Sequence, residues 1–193
     1  MDALIKDENY NELFENRDFS NMEINDTIFE QCVFRNCTFI DTKILHSKIE
    51  NTQFISCNMS NIDLTGSKLD SIEFEESKII GLTLYKCNQI NFDFVFNKSK
   101  LEYCNFSDVN MKKNIFLDCE IIESHFQNTF LVESVFKNVD FTHTSFFKCN
   151  LKKANFTDSI GYVIDPVTNN IEKATFSISG VLGLLHGFDI KIV

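Results

Sequence analysis

Residues 29–39 read Phe29-Glu30-Gln31-Cys32-Val33-Phe34-Arg35-Asn36-Cys37-Thr38-Phe39. A large apolar residue returns at every fifth place, and a small one stands two places before it. Counting in fives from Phe14 to Leu84 meets 15 apolar residues in 15 positions, and counting from Phe96 to Phe156 meets 13 in 13. The whole chain is only 44% hydrophobic, so chance does not give this. The two series are out of phase, because Phe74 and Phe96 lie 22 apart. A two-residue insertion is therefore expected within 85–95.

The smaller residue of each pair is Cys32, Cys37, Thr42, Ser47, Thr52, Cys57, Ser67 and Ser77 in the first series. In the second it is Ser99, Cys104, Cys119, Ser124, Thr129, Ser134, Thr144, Cys149 and Ala154. From Cys32 through Leu84, and from Phe94 through Phe156, neither position holds Asp or Glu. Two residues in five thus face inward and three face outward. A period of five fits neither a helix nor a flat strand. It fits a chain that turns a corner every five residues, four sides to a coil. Residues 20 apart then stack at the ~4.8 Å spacing of paired strands. Phe14, Phe34, Phe54 and Phe74 form one column, continued by Phe96, Phe116, Phe136 and Phe156. The expected fold is all-β: a right-handed quadrilateral β-helix with a short C-terminal helix and strand. Residues 1–13 read as an N-terminal cap, 14–156 as the coils, and 157–193 as a C-terminal turn, helix and strand. Two further in-phase pentads are expected at Ile171 and Phe176.

The chain carries 28 acidic and 18 basic residues, a net charge of −10. Residues 1–96 hold 17 acids and 8 bases; residues 97–193 hold 11 and 10. Such a surface repels phosphate backbones and suits basic partners, so direct nucleic-acid binding is not expected. No segment reads as a signal peptide or a membrane span, which points to the cytoplasm. All seven Cys occupy the inward small position and read as reduced packing residues rather than disulfides or zinc ligands. His46, His125, His143 and His186 fall in no catalytic or metal motif. Neither an enzyme activity nor a cofactor or metal is expected.

Glu30, Glu50 and Asp70 each follow a centre residue and lie 20 apart, so they should form a row of carboxylates. Glu73, Glu75 and Glu76 gather one corner away. These six residues are the candidate partner-binding face; the alternative is a merely solvated one. Val181, Leu182, Leu184, Leu185 and Phe188 give the C-terminal segment an apolar stripe suited to a dimer interface.

The repeat resembles that of the pentapeptide-repeat family, whose fold is the β-helix described above. Three stretches also resemble the Qnr-type quinolone-resistance members. They are Tyr10 with Leu13-Phe14, Asp18-Phe19-Ser20 and Phe29–Phe34; the irregular Gly81–Phe94; and Gly180–Val193. That resemblance implies a homodimer joined at the C-termini. It also implies a protein that imitates DNA, binds DNA gyrase or topoisomerase IV, and modulates the enzyme or protects it from quinolones. The alternative is a scaffolding repeat protein with another protein partner. The unbroken first series leaves no room for one projecting loop found in many Qnr proteins, and the larger loop is missing after Phe96.

Overall fold

The computed structural model describes residues 5–88, 91–188 and 190–191. The chain is a right-handed β-helix of four faces and about eight coils, and among the described residues every strand pair is parallel. Most strands span three residues with the centre residue in the middle, as in Leu13–Glu15 and Val33–Arg35. Phe14 pairs in register with Phe34, Phe34 with Phe54 and Phe54 with Phe74. Eight coils at ~4.8 Å each make a rod about 38 Å tall.

One aromatic stack runs the height of the first face. Successive ring centroids from Phe14 to Phe156 lie 4.7 to 5.4 Å apart. Phe176 extends the stack at 5.2 Å. Phe19–Phe39 stacks on the second face, and Phe106, Phe126 and Phe146 on the third. Rings on neighbouring faces meet edge to face, as Phe14 meets Phe19 at 76°. Apart from the half-buried Phe176, these rings are almost completely buried, which makes them the main source of apolar stabilisation.

The corners have a backbone cause. Every fifth residue from Asn11 to Gly81, and again from Lys98 to Asp158, has a positive φ near 50–70°, as in Asn16 (53°) and Gly66 (74°). A left-handed residue turns the strand through the corner, and Asn, Asp and Gly take that conformation at least cost. Only the edge between the fourth and first faces lets strands run through, in Lys48–Ile55 and Lys68–Glu75.

The inward small residue also bonds the corner. Many donate to the carbonyl of a centre residue on the coil below: Thr42 to Phe19 at 2.9 Å, Ser67 to Ile44 at 2.7 Å and Ser134 to Met111 at 2.7 Å. Cys37 and Cys149 do so through sulfur, to Phe14 and Phe126. Several hydroxyls also accept a backbone N–H from below, as Ser67 does from Ser47. This position therefore favours a donor as well as a small volume, since an unpaired buried carbonyl is costly.

The inserted residues lie between Leu84 and Asp93. Thr83 bridges Asn105 at an offset of 22, and Phe74 pairs with Phe96. Leu84–Lys86 makes one 3₁₀ turn, and Phe92 and Phe94 both turn inward. Phe94 takes the small position and meets Phe74 and Phe96 edge to face. Above it, Asn114 accepts the Phe94 N–H and donates to the Phe92 carbonyl.

The coils reach past 14–156 at both ends. Glu8–Tyr10 pairs with Ile28–Glu30, and Asn9 fills its centre position, buried and donating to the Lys6 and Ile28 carbonyls. In the first pentads Glu12, Arg17 and Met22 stand where small residues stand above, so a carboxylate does enter that position at the open end. At the other end Thr175–Phe176 pairs on Asn155–Phe156, and Asn150 bridges Asn170, which seats Ile171 above Leu151. One coil cuts a corner, since Phe146 pairs with Ile164 at an offset of 18. The turn at Asp165–Asn169 restores the count.

The C-terminal helix is shorter than the sequence suggests. Val181–Leu184 is a single 3₁₀ turn without a side-chain cap. Gly180 and Gly183 press on Tyr162, where a Cβ on either would collide with that residue. Glycine favours this close approach and disfavours a longer helix. Of the strand expected over 190–193, Ile190 and Lys191 are not in a strand, and 192 and 193 lie outside the described residues.

Candidate partner-binding faces

The fourth face carries the centres Phe29, Ile49 and Leu69. The residues that follow them are direct register partners: Tyr10 with Glu30, Glu30 with Glu50, Glu50 with Asp70. Asp93 continues the line, because Ile72 N–H bonds its carbonyl and Ser71 Oγ lies 3.4 Å from its carboxylate. The row is partly compensated. Lys48 and Lys68 stack on the other side of the centres, and Lys48 Nζ lies 2.7 Å from Glu50 Oε2. Its hydrogen bond to the Glu50 carboxylate holds the Lys48 ammonium above its usual range.

Glu73, Glu75 and Glu76 sit on the first face, one corner on. Glu73 and Glu75 flank Phe74 and point outward, while Glu76 occupies the left-handed corner. Gln53 donates to Glu73 at 2.8 Å, and Lys98 Nζ lies 3.8 Å from Glu76. The six acids form two groups on adjoining faces. They do not make one continuous surface row.

Above the insertion the fourth face changes sign. Backbone pairs of Lys113 with Val132, Glu133 with Lys152 and Lys153 with Glu172 set the register there. From Glu8 to Asp93 this face presents five carboxylates (Glu8, Glu30, Glu50, Asp70, Asp93) and two lysines (Lys48, Lys68). From Asn110 to Lys173 it presents five lysines (Lys112, Lys113, Lys152, Lys153, Lys173) and two glutamates (Glu133, Glu172). Lys153 Nζ lies 3.0 Å from Glu133, and Lys152 Nζ 2.8 Å from Glu172. Phe130 stands half-exposed in the middle of the lysines. The acid and base totals of the two halves conceal this basic row. Its signal was available, because Lys112 and Lys152, like Lys113 and Lys153, lie two coils apart.

The C-terminal end is the apolar one. Val181, Leu182 and Phe188 are exposed, as are Ile160, Val163, Val167, Ile178 and Ile190. Leu184 instead packs against the core, and Leu185 is half-buried. Tyr162 closes the stack beneath them, its ring centroid 5.5 Å from that of Phe156 and 5.8 Å from that of Phe176.

All seven Cys are free and buried. Burial pushes Cys87 and Cys104 up to about 12 and Cys119 up to about 11. The adjoining Cys37 thiol, then burial, raises Cys57. Among the described residues no group of three or more His, Cys, Asp or Glu is placed to hold a metal ion, and no helix is long and apolar enough to cross a membrane. His125 Nδ1 lies 2.9 Å from Ser145 Oγ on the next coil, and His143 Nδ1 lies 3.9 Å from Glu123. A cleft of about 330 Å³ on the second face is lined by Asp118, Glu120, Asp140 and Asp158, with Asn138 bonded to Asp118.

Among solved structures, two trypsin-treated forms of QnrB1, a plasmid-mediated fluoroquinolone resistance protein, share this fold. One has a TM-score of 0.62 at 17% identity, covering 96% of this chain and 97% of that one. The other has a TM-score of 0.58 at 15% identity, covering 96% and 98%. HetL is a pentapeptide repeat protein involved in heterocyst differentiation regulation, from the cyanobacterium Nostoc sp. strain PCC 7120. It matches with a TM-score of 0.55 at 11% identity over 86% and 85% of the two chains. No curated protein sequence matches the chain. Sequence models of the pentapeptide repeat region and of eight pentapeptide-repeat copies match residues 11–84 and 119–158. Together with the five-residue coil geometry, those matches establish that this chain belongs to the pentapeptide-repeat family.

Proposed function

We propose that this protein is a non-enzymatic, cytoplasmic DNA mimic that binds a type II topoisomerase, DNA gyrase or topoisomerase IV. Bound there, it modulates the enzyme or protects it from quinolones. The observation that carries this reading is the in-register column Glu30–Glu50–Asp70, prolonged by Asp93, on a rigid β-helical rod. Carboxylates repeating at ~4.8 Å along a rod offer a basic DNA-binding channel a line of fixed negative charge. Duplex DNA carries one charge per ~1.7 Å of axis, so a single column is sparse. Glu73, Glu75 and Glu76 on the adjoining face add to it. The likeness in fold to QnrB1 supports the same reading. Seven unpaired, buried cysteines fit a reducing compartment.

Two copies join through the C-terminal end. Exposed Val181, Leu182 and Phe188, with Ile178 beside them, support an apolar two-fold contact. Deleting Gly180–Val193 should then leave a monomer in sedimentation at micromolar concentration. A full-length chain that is itself monomeric there would refute the contact.

A second reading has one observation behind it. Lys48 neutralises the middle of the column, and HetL, a family member involved in differentiation regulation, shares the fold too. On that reading the rod is a scaffold for a different protein partner. A gyrase supercoiling assay with and without the protein separates the two. The mimic lowers supercoiling or relieves its block by a fluoroquinolone. A protein that binds neither gyrase nor topoisomerase IV is the scaffold.

A further inference from the structure

The sign reversal along the fourth face is a pattern of its own, independent of any topoisomerase. The lower half presents five carboxylates and two lysines, the upper half five lysines and two glutamates, in neighbouring columns of one rigid face. The halves are also matched in height. Counting coils from the one that holds Asp93, Asp70 lies one coil below and Lys112 one above; Glu30 lies three below and Lys152 three above.

We propose that the fourth face is a self-recognition surface, across which two copies of the chain pack antiparallel, each laying its acidic half on the basic half of the other. A two-fold axis at the height of Asp93, in the plane of contact and perpendicular to the rods, keeps each row opposite its own row with direction reversed. Glu30 of one copy then meets Lys152 of the other, and Asp70 meets Lys112. Each pair occurs twice. Glu50 falls opposite the coil of Phe130 and Val132, so the aliphatic part of the Lys48–Glu50 pair covers the exposed ring. A parallel pairing in register lays the net-acidic half on the net-acidic half and the net-basic half on the net-basic half, and is disfavoured.

The chemistry favours a second copy over an acidic macromolecule. A phosphate polymer drawn to the lysines would meet five carboxylates on the same face and a net charge of −10. The other copy presents the complementary sign at Glu30 and at Asp70, on either side of the axis where the two Asp93 carboxylates come together. The contact is weak by area. A face ~40 Å tall and ~12 Å wide buries on the order of 500 Å² per copy, below the roughly 800 Å² of a standard interface. It is therefore governed by charge and weakened by salt. Where it forms, it covers the Glu30–Glu50–Asp70 column and competes with any partner that uses it.

The test uses the full chain and two charge-reversed variants. Variant A carries Glu30→Lys and Asp70→Lys, which makes the whole face basic. Variant B carries Lys112→Glu and Lys152→Glu, which makes it acidic. Sedimentation velocity is run at about 50 mM and about 500 mM NaCl, a span over which screening shortens from ~14 Å to ~4 Å. Wild type is expected to show an association step at low salt that weakens at least about tenfold at high salt. A and B alone should lack that step, and an equimolar mixture should restore it. An apolar C-terminal contact would raise the mass at both salts equally and does not obscure the step. Carbodiimide coupling of wild type supplies a second readout that needs no variant. Glu30 and Lys152 sit six coils, about 29 Å, apart in one chain, so a Glu30–Lys152 bond in the covalent dimer can only join two copies. Salt-independent mass for wild type, a mixture that fails to associate, or a covalent dimer without that bond would each overturn the proposal.

Discussion

Residues 14–84 and 96–156 build the same interior and different exteriors. Phe54 on Phe34 and Phe136 on Phe116 stack at 5.1 and 4.9 Å, and both stacks are closed off from solvent. The corners are not alike. In the lower region Asn, Asp and Gly fill ten of the fifteen left-handed positions from Asn11 to Gly81. In the upper region Asn and Asp fill five of the thirteen from Lys98 to Asp158, and Lys98, Tyr103, Lys113, Lys148 and Lys153 stand among the rest. Charge divides the same way, acidic below and nearly balanced above. The interior sets the coil, and the three outward positions of each pentad vary without disturbing it. Function is therefore to be sought in how the two exteriors differ.

The largest effect tests whether the interiors are equivalent. Phe34→Ala and Phe116→Ala should each cost about 3–5 kcal/mol in denaturant unfolding. Near-equal losses are expected because each ring is buried between two others in its column. A large loss in one region and a small one in the other would mean that the cores differ after all.

Next comes the inward hydrogen bond. Ser67→Ala in the lower region and Ser134→Ala in the upper should each cost about 1–3 kcal/mol, since the Ile44 or Met111 carbonyl loses its donor. Ser134→Cys should recover part of the loss. Alanine variants as stable as wild type would reduce this position to one of volume alone.

The corners sharpen the contrast and carry opposite signs. Tyr103 is exposed with φ 54°, and Asn51 has φ 48°. Tyr103→Asn should stabilise by about 0.5–1 kcal/mol, and Asn51→Tyr should destabilise by about as much. Thermal unfolding of the two variants checks the signs. Equal signs would show that corner composition does not distinguish the regions.

Thiol chemistry should not distinguish the regions at all. Burial pushes Cys104 up to about 12 and Cys119 up to about 11, so little thiolate exists there at pH 8; the hydrogen bond shared with Cys57 instead lowers Cys37, and at that thiol burial alone keeps reagent away. Alkylation of the native protein should be slow at all seven Cys and accelerate only when global unfolding exposes them. Fast labelling of Cys37 or Cys57 in native buffer would contradict the packing described.

The repeat was the most legible part of the sequence. Phe14, Phe34, Phe54 and Phe74 announce the column, and the 22-residue step to Phe96 announces the inserted residues, because burial of a large ring leaves few substitutes. Less legible was why Ser, Thr and Cys recur at the inward small position. Size and hydrogen bonding select the same residues there, and contacts such as those of Ser67 with the Ile44 carbonyl and Ser134 with the Met111 carbonyl separate them. The corner residues stayed hidden behind their variety, since a left-handed φ is tolerated at Lys113 and Tyr103 as well as at Asn16. The ends were misleading for a related reason. Asn9 takes a centre position by bonding its amide to backbone, which hydrophobic counting passes over. Val181–Phe188 has the apolar spacing of a helix, but Gly180 and Gly183 press against Tyr162 and only one 3₁₀ turn forms. Of the candidate face, the row Glu30–Glu50–Asp70 followed from the 20-residue period alone. Its compensation by Lys48 needed side-chain geometry.

The smallest effect on stability belongs to that row, and it carries the largest consequence for function. Changing Glu30→Gln, Glu50→Gln and Asp70→Asn together should leave the melting temperature equal or slightly raised, because stacked like charges repel. The decisive measurement is the binding of DNA gyrase to wild type, to this triple variant, and to a Glu102→Gln/Glu123→Gln variant in the upper region, each at low and high salt. The account predicts that wild type binds, that binding weakens as salt rises, and that the triple variant loses far more than the double variant. A triple variant that binds as wild type does, or a wild type that binds neither gyrase nor topoisomerase IV, would contradict it.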